Sequence, residues 1–219
     1  MSDTRFLFFF LALFTTLIGA RFGFAWAGGQ GWQPQMSAVV SETVGTVTVD
    51  RAGKIRAVKA EEPLIRGEII KTGADGMAFI TIGPGVRIAL DEKTDLVLES
   101  LRPDGVRLHL SRGRILAASH PHVDQLTIKT AKTETMILEG TLSIVNYDFL
   151  QTVAIAPLNT TVRLSLHGSE DLWKNTPVHV LETSDPPIVS SAAFSLTSPD
   201  VKKFYDWAKE RVGFTKESF

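Results

Sequence analysis

Between residues 44 and 168 apolar and polar residues alternate in short runs, and no stretch sustains the wider apolar spacing of an amphipathic helix. In Val106-Arg107-Leu108-His109-Leu110 every second side chain is apolar, the pattern of a strand with one dry and one wet face. The same alternation in 161–166 turns Val162, Leu164 and Leu166 to one side. Along the chain it predicts strands over 44–50, 69–71, 77–82, 86–90, 95–101, 106–110, 114–118, 126–130, 135–138, 142–146, 152–155, 161–166 and 178–181. Turn residues separate them at Asp75-Gly76, Gly83-Pro84-Gly85, Asp104-Gly105, Arg112-Gly113 and Glu139-Gly140, where glycine permits backbone angles that other residues resist. Strand starts about 8 to 10 residues apart leave no room for crossover helices. The expected fold is mainly β, a solenoid-like or sandwich-like domain over 39–183.

The pattern changes near the C-terminus. Residues 184–197 carry Pro186, Pro187 and several Ser and read as a linker or a strap across the surface. Ser198-Pro199-Asp200 then opens an amphipathic helix over 198–213, with Ser198 as N-cap, Pro199 as first helical residue and Gly213 as stop. Val201, Phe204, Tyr205, Ala208 and Val212 share one face and are expected to dock on the β-domain. Trp207 lies off that stripe and is a candidate contact for a partner.

Residues 1–27 read as a signal peptide. Arg5 precedes an apolar run over 6–20, and Arg21 ends that run short of the roughly 20 residues that span a bilayer. Ala25 and Ala27, in Ala25-Trp26-Ala27, suit signal peptidase recognition. Cleavage would deliver a periplasmic or secreted protein with no membrane span; the alternative is an uncleaved N-terminal anchor. Residues 28–38, rich in Gly and Gln, read as a disordered lead-in.

Composition narrows the picture further. Seven of the 13 Phe fall within 1–27, so the core of the remainder must be built from Val, Ile and Leu, a strand-like set. With no Cys there is no disulfide, no thiolate metal ligand and no cysteine to carry a lipid. A formal charge of -1 gives no support for nucleic acid or an anionic membrane surface as main partner.

Three motifs occur in a telling order: Val44-Gly45-Thr46-Val47, then Leu64-Ile65-Arg66-Gly67-Glu68-Ile69-Ile70-Lys71-Thr72-Gly73, then Gly76-Met77-Ala78-Phe79-Ile80. Together they resemble the FecR domain family. Arg87 to Leu90, Gly113-Arg114-Ile115-Leu116 and Leu138-Glu139-Gly140-Thr141 look like its later strands, and the resemblance covers about 44–168. It implies an extracytoplasmic β-domain of the kind found in regulators that relay a signal from an outer-membrane transporter to a sigma factor. Two departures are visible. The β-domain follows a signal peptide directly, which reads as a stand-alone exported protein without the anti-sigma region, and Gly67-Glu68 stands where the family commonly has Gly-Asp.

Candidate chemistry is sparse. His120-Pro121-His122 with Asp124 could share a metal ion only if a further ligand came from elsewhere, and a solvated loop explains the same residues. His109, His167 and His179 are isolated on strands or turns. The carboxylate groups Asp91-Glu92 with Asp95, and Glu170-Asp171, are explained by solvated turns as well as by glycosidase chemistry. No catalytic, cofactor or metal residue is therefore expected. The expected role is a non-enzymatic protein-binding or scaffold module in envelope signalling or assembly, with an unidentified envelope protein as partner. A polysaccharide-binding or polysaccharide-active envelope protein is the alternative, weakened by only 2 Tyr and 4 Trp for stacking on sugars.

Overall fold

A computed structural model describes residues 35–213. In chain order its strands are β1 (Ala38–Val44), β2 (Val47–Arg51), β3 (Lys54–Ala57), β4 (Glu62–Leu64), β5 (Ile69–Thr72), β6 (Met77–Ile82), β7 (Val86–Leu90), β8 (Asp95–Arg102), β9 (Gly105–Ser119), β10 (Leu126–Lys129), β11 (Thr133–Ile137), β12 (Gly140–Tyr147), β13 (Thr152–Pro157), β14 (Val162–Leu166), β15 (Leu172–Lys174), β16 (Val178–Leu181) and β17 (Ile188–Ser191). A 3-10 turn, Asp148–Leu150, links β12 to β13, and one helix, α1 (Pro199–Val212), closes the described chain.

The strands form two open sheets that share β9, and neither closes into a barrel. Sheet A runs β4-β1-β6-β7-β9-β12-β13-β16-β17. Sheet B runs β3-β2-β5-β8-β9-β10-β11-β14-β15. All these pairings are antiparallel except β9 with β10. Of the two readings, these antiparallel ladders support the sandwich-like one. From β6 onward the chain moves hairpin by hairpin between the layers, with β12–β13 and β16–β17 in A and β10–β11 and β14–β15 in B.

β9 replaces two separate expected strands. Its first half pairs with β8 and β10 in sheet B, and from Gly113 onward it pairs with β7 and β12 in sheet A. Gly113 makes the transfer at φ +93, and a Cβ there would sit 2.5 Å from the Cα of Thr94. What reads as a turn in the sequence is therefore a bend within one strand. The opposite correction applies at 44–50, where Gly45, at φ +61, separates β1 from β2.

Alternation supplies the core. Ile80, Ile88, Ile115, Ile144, Ile155 and Val180 from sheet A meet Val49, Ile70, Leu98, Leu108, Ile128 and Leu164 from sheet B, each at most 1% exposed. Fully burying one such side chain contributes about 1.5–3 kcal/mol.

Strands β3, β4, β15 and β17 escape the sequence reading because they are short, charged or next to Pro, and of β1 only Val44 falls within an expected strand. β17 lies inside the expected linker, so part of 184–197 belongs to the β-domain. At the other end the Met36 amide donates to the Leu101 carbonyl (2.8 Å) and the Ser37 carbonyl accepts from the Gly83 amide (2.7 Å), so 36–38 are anchored and not a loose lead-in.

Glu68, in the Gly67-Glu68 corner, is fully buried. One carboxylate oxygen accepts from Arg51 Nε (2.8 Å) and the other from the Ile65 amide (2.7 Å). The carboxylate thus ties the β2–β3 hairpin to the corner before β5, a structural task that the motif alone does not reveal.

Candidate functional site: the groove on the outer face of sheet A

The outer face of sheet A is apolar where α1 lies on it. Met77, Ala89, Leu116 and Ala118 form the seat, and Phe204, Tyr205, Ala208 and Val212 fill it. The Ala positions let the helix approach closely. Ser198 occupies the N-cap, its carbonyl accepting from the Val201 and Lys202 amides, but its hydroxyl makes no capping bond; Gly213 ends the helix in a left-handed conformation. Buried Tyr205 shares a 2.6 Å hydrogen bond with Ser143, and burial pushes its hydroxyl up to about 12.

A polar clamp holds the helix edge. The Arg211 guanidinium donates to both Glu42 oxygens at 2.7 Å and lies 4.5 Å from the centre of the Trp207 ring. The Trp207 indole N–H donates to Glu42 at 3.3 Å. The hydrogen bond from Arg211 holds the Glu42 carboxyl below the usual carboxylate range. Trp207 is half-buried, so the residue singled out for a partner is engaged within its own chain.

Beside α1 the outer face opens into a groove. Register places Arg114, Val145, Ala154 and His179 in one row across β9, β12, β13 and β16. Two hollows of about 320 Å³ each meet at Arg114, Val145 and Tyr147. The first lies against α1 and the strap, with Phe194, Ser195, Ser198 and Tyr205 in its wall. The second runs toward the 3-10 turn and is lined by Asp91, Glu92, Asp148 and Phe149 among others. Arg114 Nη1 donates to Asp91 at 2.6 Å, while its buried Nε has no partner among the described residues. Burial raises the Asp91 carboxyl above its ordinary range in spite of that Arg.

The next row, Tyr147, Thr152, Leu181 and Ile188, ends at the β17 edge. Leu181 and Ile188 are 38% and 57% exposed, and the adjoining turn adds Phe149 and Leu150 at 80% and 55%. This corner gathers four of the eight exposed large apolar side chains among the described residues. The β17 edge beside it carries neither charge nor Pro within its four residues. By contrast, edge strand β3 bears Lys54 and Arg56, β4 contains Pro63 and β15 ends in Lys174, the usual guards against unwanted strand pairing.

Ala25 and Ala27 lie outside the described residues. His120, Pro121 and His122 form the turn after β9, where the His120 amide donates to the Gly85 carbonyl at 2.8 Å. Among the described residues no three His, Asp or Glu side chains are grouped to hold a metal ion. His109 stands 3.9 Å from Glu99 on the outer face of sheet B, His167 lies at the β10–β11 end of that sheet and His179 lines the groove. The groove residues Arg114, Tyr147 and Phe149 were not singled out as site residues. The only local signal was Phe149-Leu150, an apolar pair in a turn.

No protein-family model matches the chain, and no curated protein matches it. Two solved structures, both of a candidate anti-sigma factor from Parabacteroides distasonis, are similar at 12% identity and a TM-score of 0.49. They cover 66% of this chain and 73% and 74% of their own. The FecR resemblance therefore rests on the motif order in the sequence.

Proposed function

We propose that this chain is a non-catalytic binding module of the cell envelope, exported through residues 1–27, that holds a protein partner at the corner where the outer face of sheet A meets the β17 edge. The observation that carries this reading is the concentration of Phe149, Leu150, Leu181 and Ile188 beside an unguarded strand edge. Clustered exposed apolar side chains favour association with another surface, and a free edge can receive an extended segment through main-chain hydrogen bonds. The motif order resembling the FecR domain supports a place in envelope signalling or assembly. No described helix is long and apolar enough to cross a membrane.

The test is photo-crosslinking in cells from a reactive residue placed at Ile188 or Phe149. One reproducible adduct that disappears with Leu181→Lys supports the reading. A folded, exported protein that gives no adduct from either position refutes it. Deleting α1 is a poor substitute, because the deletion would bare Met77, Leu116 and Ala118 and create a new sticky face.

One observation favours the glycan reading. The second hollow sets Tyr147 and Phe149 beside Asp91, Glu92 and Asp148, an aromatic and carboxylate pairing suited to sugars. Glycan-array binding that is lost in Phe149→Ala would put that reading first.

A further inference from the structure

The first hollow differs from the second in its charge. No carboxylate lines it, whereas Arg114 and His179 do, together with Tyr147, Ser195 and Ser198. Arg114 spends Nη1 on Asp91, while its buried Nε has no partner among the described residues. A buried donor left without a partner beside a concavity gains by meeting an acceptor there, and polar groups converging on such a concavity mark a candidate ligand site. The remaining wall is apolar, formed by Val145, Ala154, Phe194 and Val201. At about 320 Å³ the hollow lies at the small end of the ~300–1,000 Å³ typical of ligand pockets.

We infer that this hollow binds a small organic carboxylate, its anionic head received by Arg114 and His179 and its hydrocarbon body laid against Val145, Ala154 and Phe194. Guanidinium is the side chain best shaped to grip a carboxylate; Asp91, outside the lining of this hollow, takes Nη1 at 2.6 Å and leaves the unpartnered Nε for a ligand. The site is separate from the corner at Phe149 and Ile188, so loss of partner binding there leaves it standing.

Hexanoate, its neutral analogue hexanamide and inorganic phosphate are titrated into the 15N-labelled protein and followed by NMR. Hexanoate is expected to bind with about millimolar affinity, as suits a ligand of its size, and to shift amides near Arg114, His179 and Ser198. Hexanamide and phosphate, each lacking one half of the chemistry, are expected to bind at least about tenfold more weakly. Arg114→Gln alone would strand the buried Asp91 carboxylate, so it is made together with Asp91→Asn, and the double variant should lose at least about tenfold. His179→Gln, on the exposed rim, should lose roughly two- to tenfold without touching the fold. Equal binding of hexanoate and hexanamide, equal binding of phosphate, shifts confined to other surfaces, or full affinity in the folded double variant would each overturn the assignment.

Discussion

The two outer faces of this molecule are built from the same alternating strands and have opposite fates. On sheet A the outward positions of β6, β7 and β9 include Met77, Phe79, Ala89, Leu116 and Ala118, and α1 packs against them. On sheet B the outward positions include Asp50, Lys71, Lys129, Glu134 and Arg163, which pair with one another or with nearby charges at the surface: Lys71 with Asp50 at 3.2 Å and Lys129 with Glu134 at 2.8 Å. Partly exposed pairs of this kind contribute little stability but keep a sheet face wet. A sheet thus acquires a third layer where its outward residues are apolar, and the groove arises where that layer stops, at Arg114 and His179.

The largest test of this contrast removes one aromatic from each side. Phe204→Ala, under the helix, should cost about 3–5 kcal/mol in urea unfolding, whereas Trp173→Ala, exposed on sheet B, should stay within about 0.5 kcal/mol. Similar losses at the two sites would erase the distinction between a layered and a bare face.

Next comes the strand that serves both sheets. Gly113→Val adds a branched side chain at a positive φ and against Thr94, and should cost about 2–3 kcal/mol, read as a fall in melting temperature. An unchanged melting temperature would mean that β9 does not need glycine to pass between the layers.

Tyr205 offers a test through pH alone. Its folded value of about 12 lies above the unfolded value of 10.0, so the folded state keeps the proton longer. The associated stability is whole below pH 10 and is lost as pH climbs from 10 to 12, by about 2–3 kcal/mol. Tyr205→Phe should flatten that alkaline slope in denaturant midpoints; a slope that persists in the variant must come from another group.

The smallest effect is expected at the clamp. Glu42 is held below its ordinary range, chiefly by the hydrogen bond from Arg211, so its contribution is present above that range and fades as pH falls through it. Both partners are partly exposed, and Glu42→Gln should therefore cost less than about 1 kcal/mol near neutral pH. Thermal melts of the two proteins should converge in acid. A constant gap at all pH values would assign the effect to packing and not to charge.

Much of this architecture is legible along the chain. Alternation in 77–82, 86–90, 126–130 and 161–166 marks strands because neighbouring side chains on a strand point to opposite faces, a local property. The helix face of Phe204, Tyr205, Ala208 and Val212 is legible for the same reason. Less legible are strands such as Lys54–Ala57, whose charged positions obscure the alternation, and Ile188–Ser191, which follows two prolines. Gly113 reads as a turn because a glycine that ends a strand and one that bends it look the same in one dimension.

Side-chain chemistry alone decides which residues avoid water, and so the mainly β character, the Val, Ile and Leu core and the apolar stripe of α1 follow from residue order. Which strand enters which sheet does not follow, because an apolar outward position on β9 is indistinguishable from an inward one until both layers exist. Arg114, Tyr147, His179 and Ser198 lie on β9, β12, β16 and the start of α1, far apart in the chain, and only the ladders between those elements bring them to one hollow. The groove is set by long-range pairing, which rests on the packing of two whole sheets and on where a helix happens to end its cover.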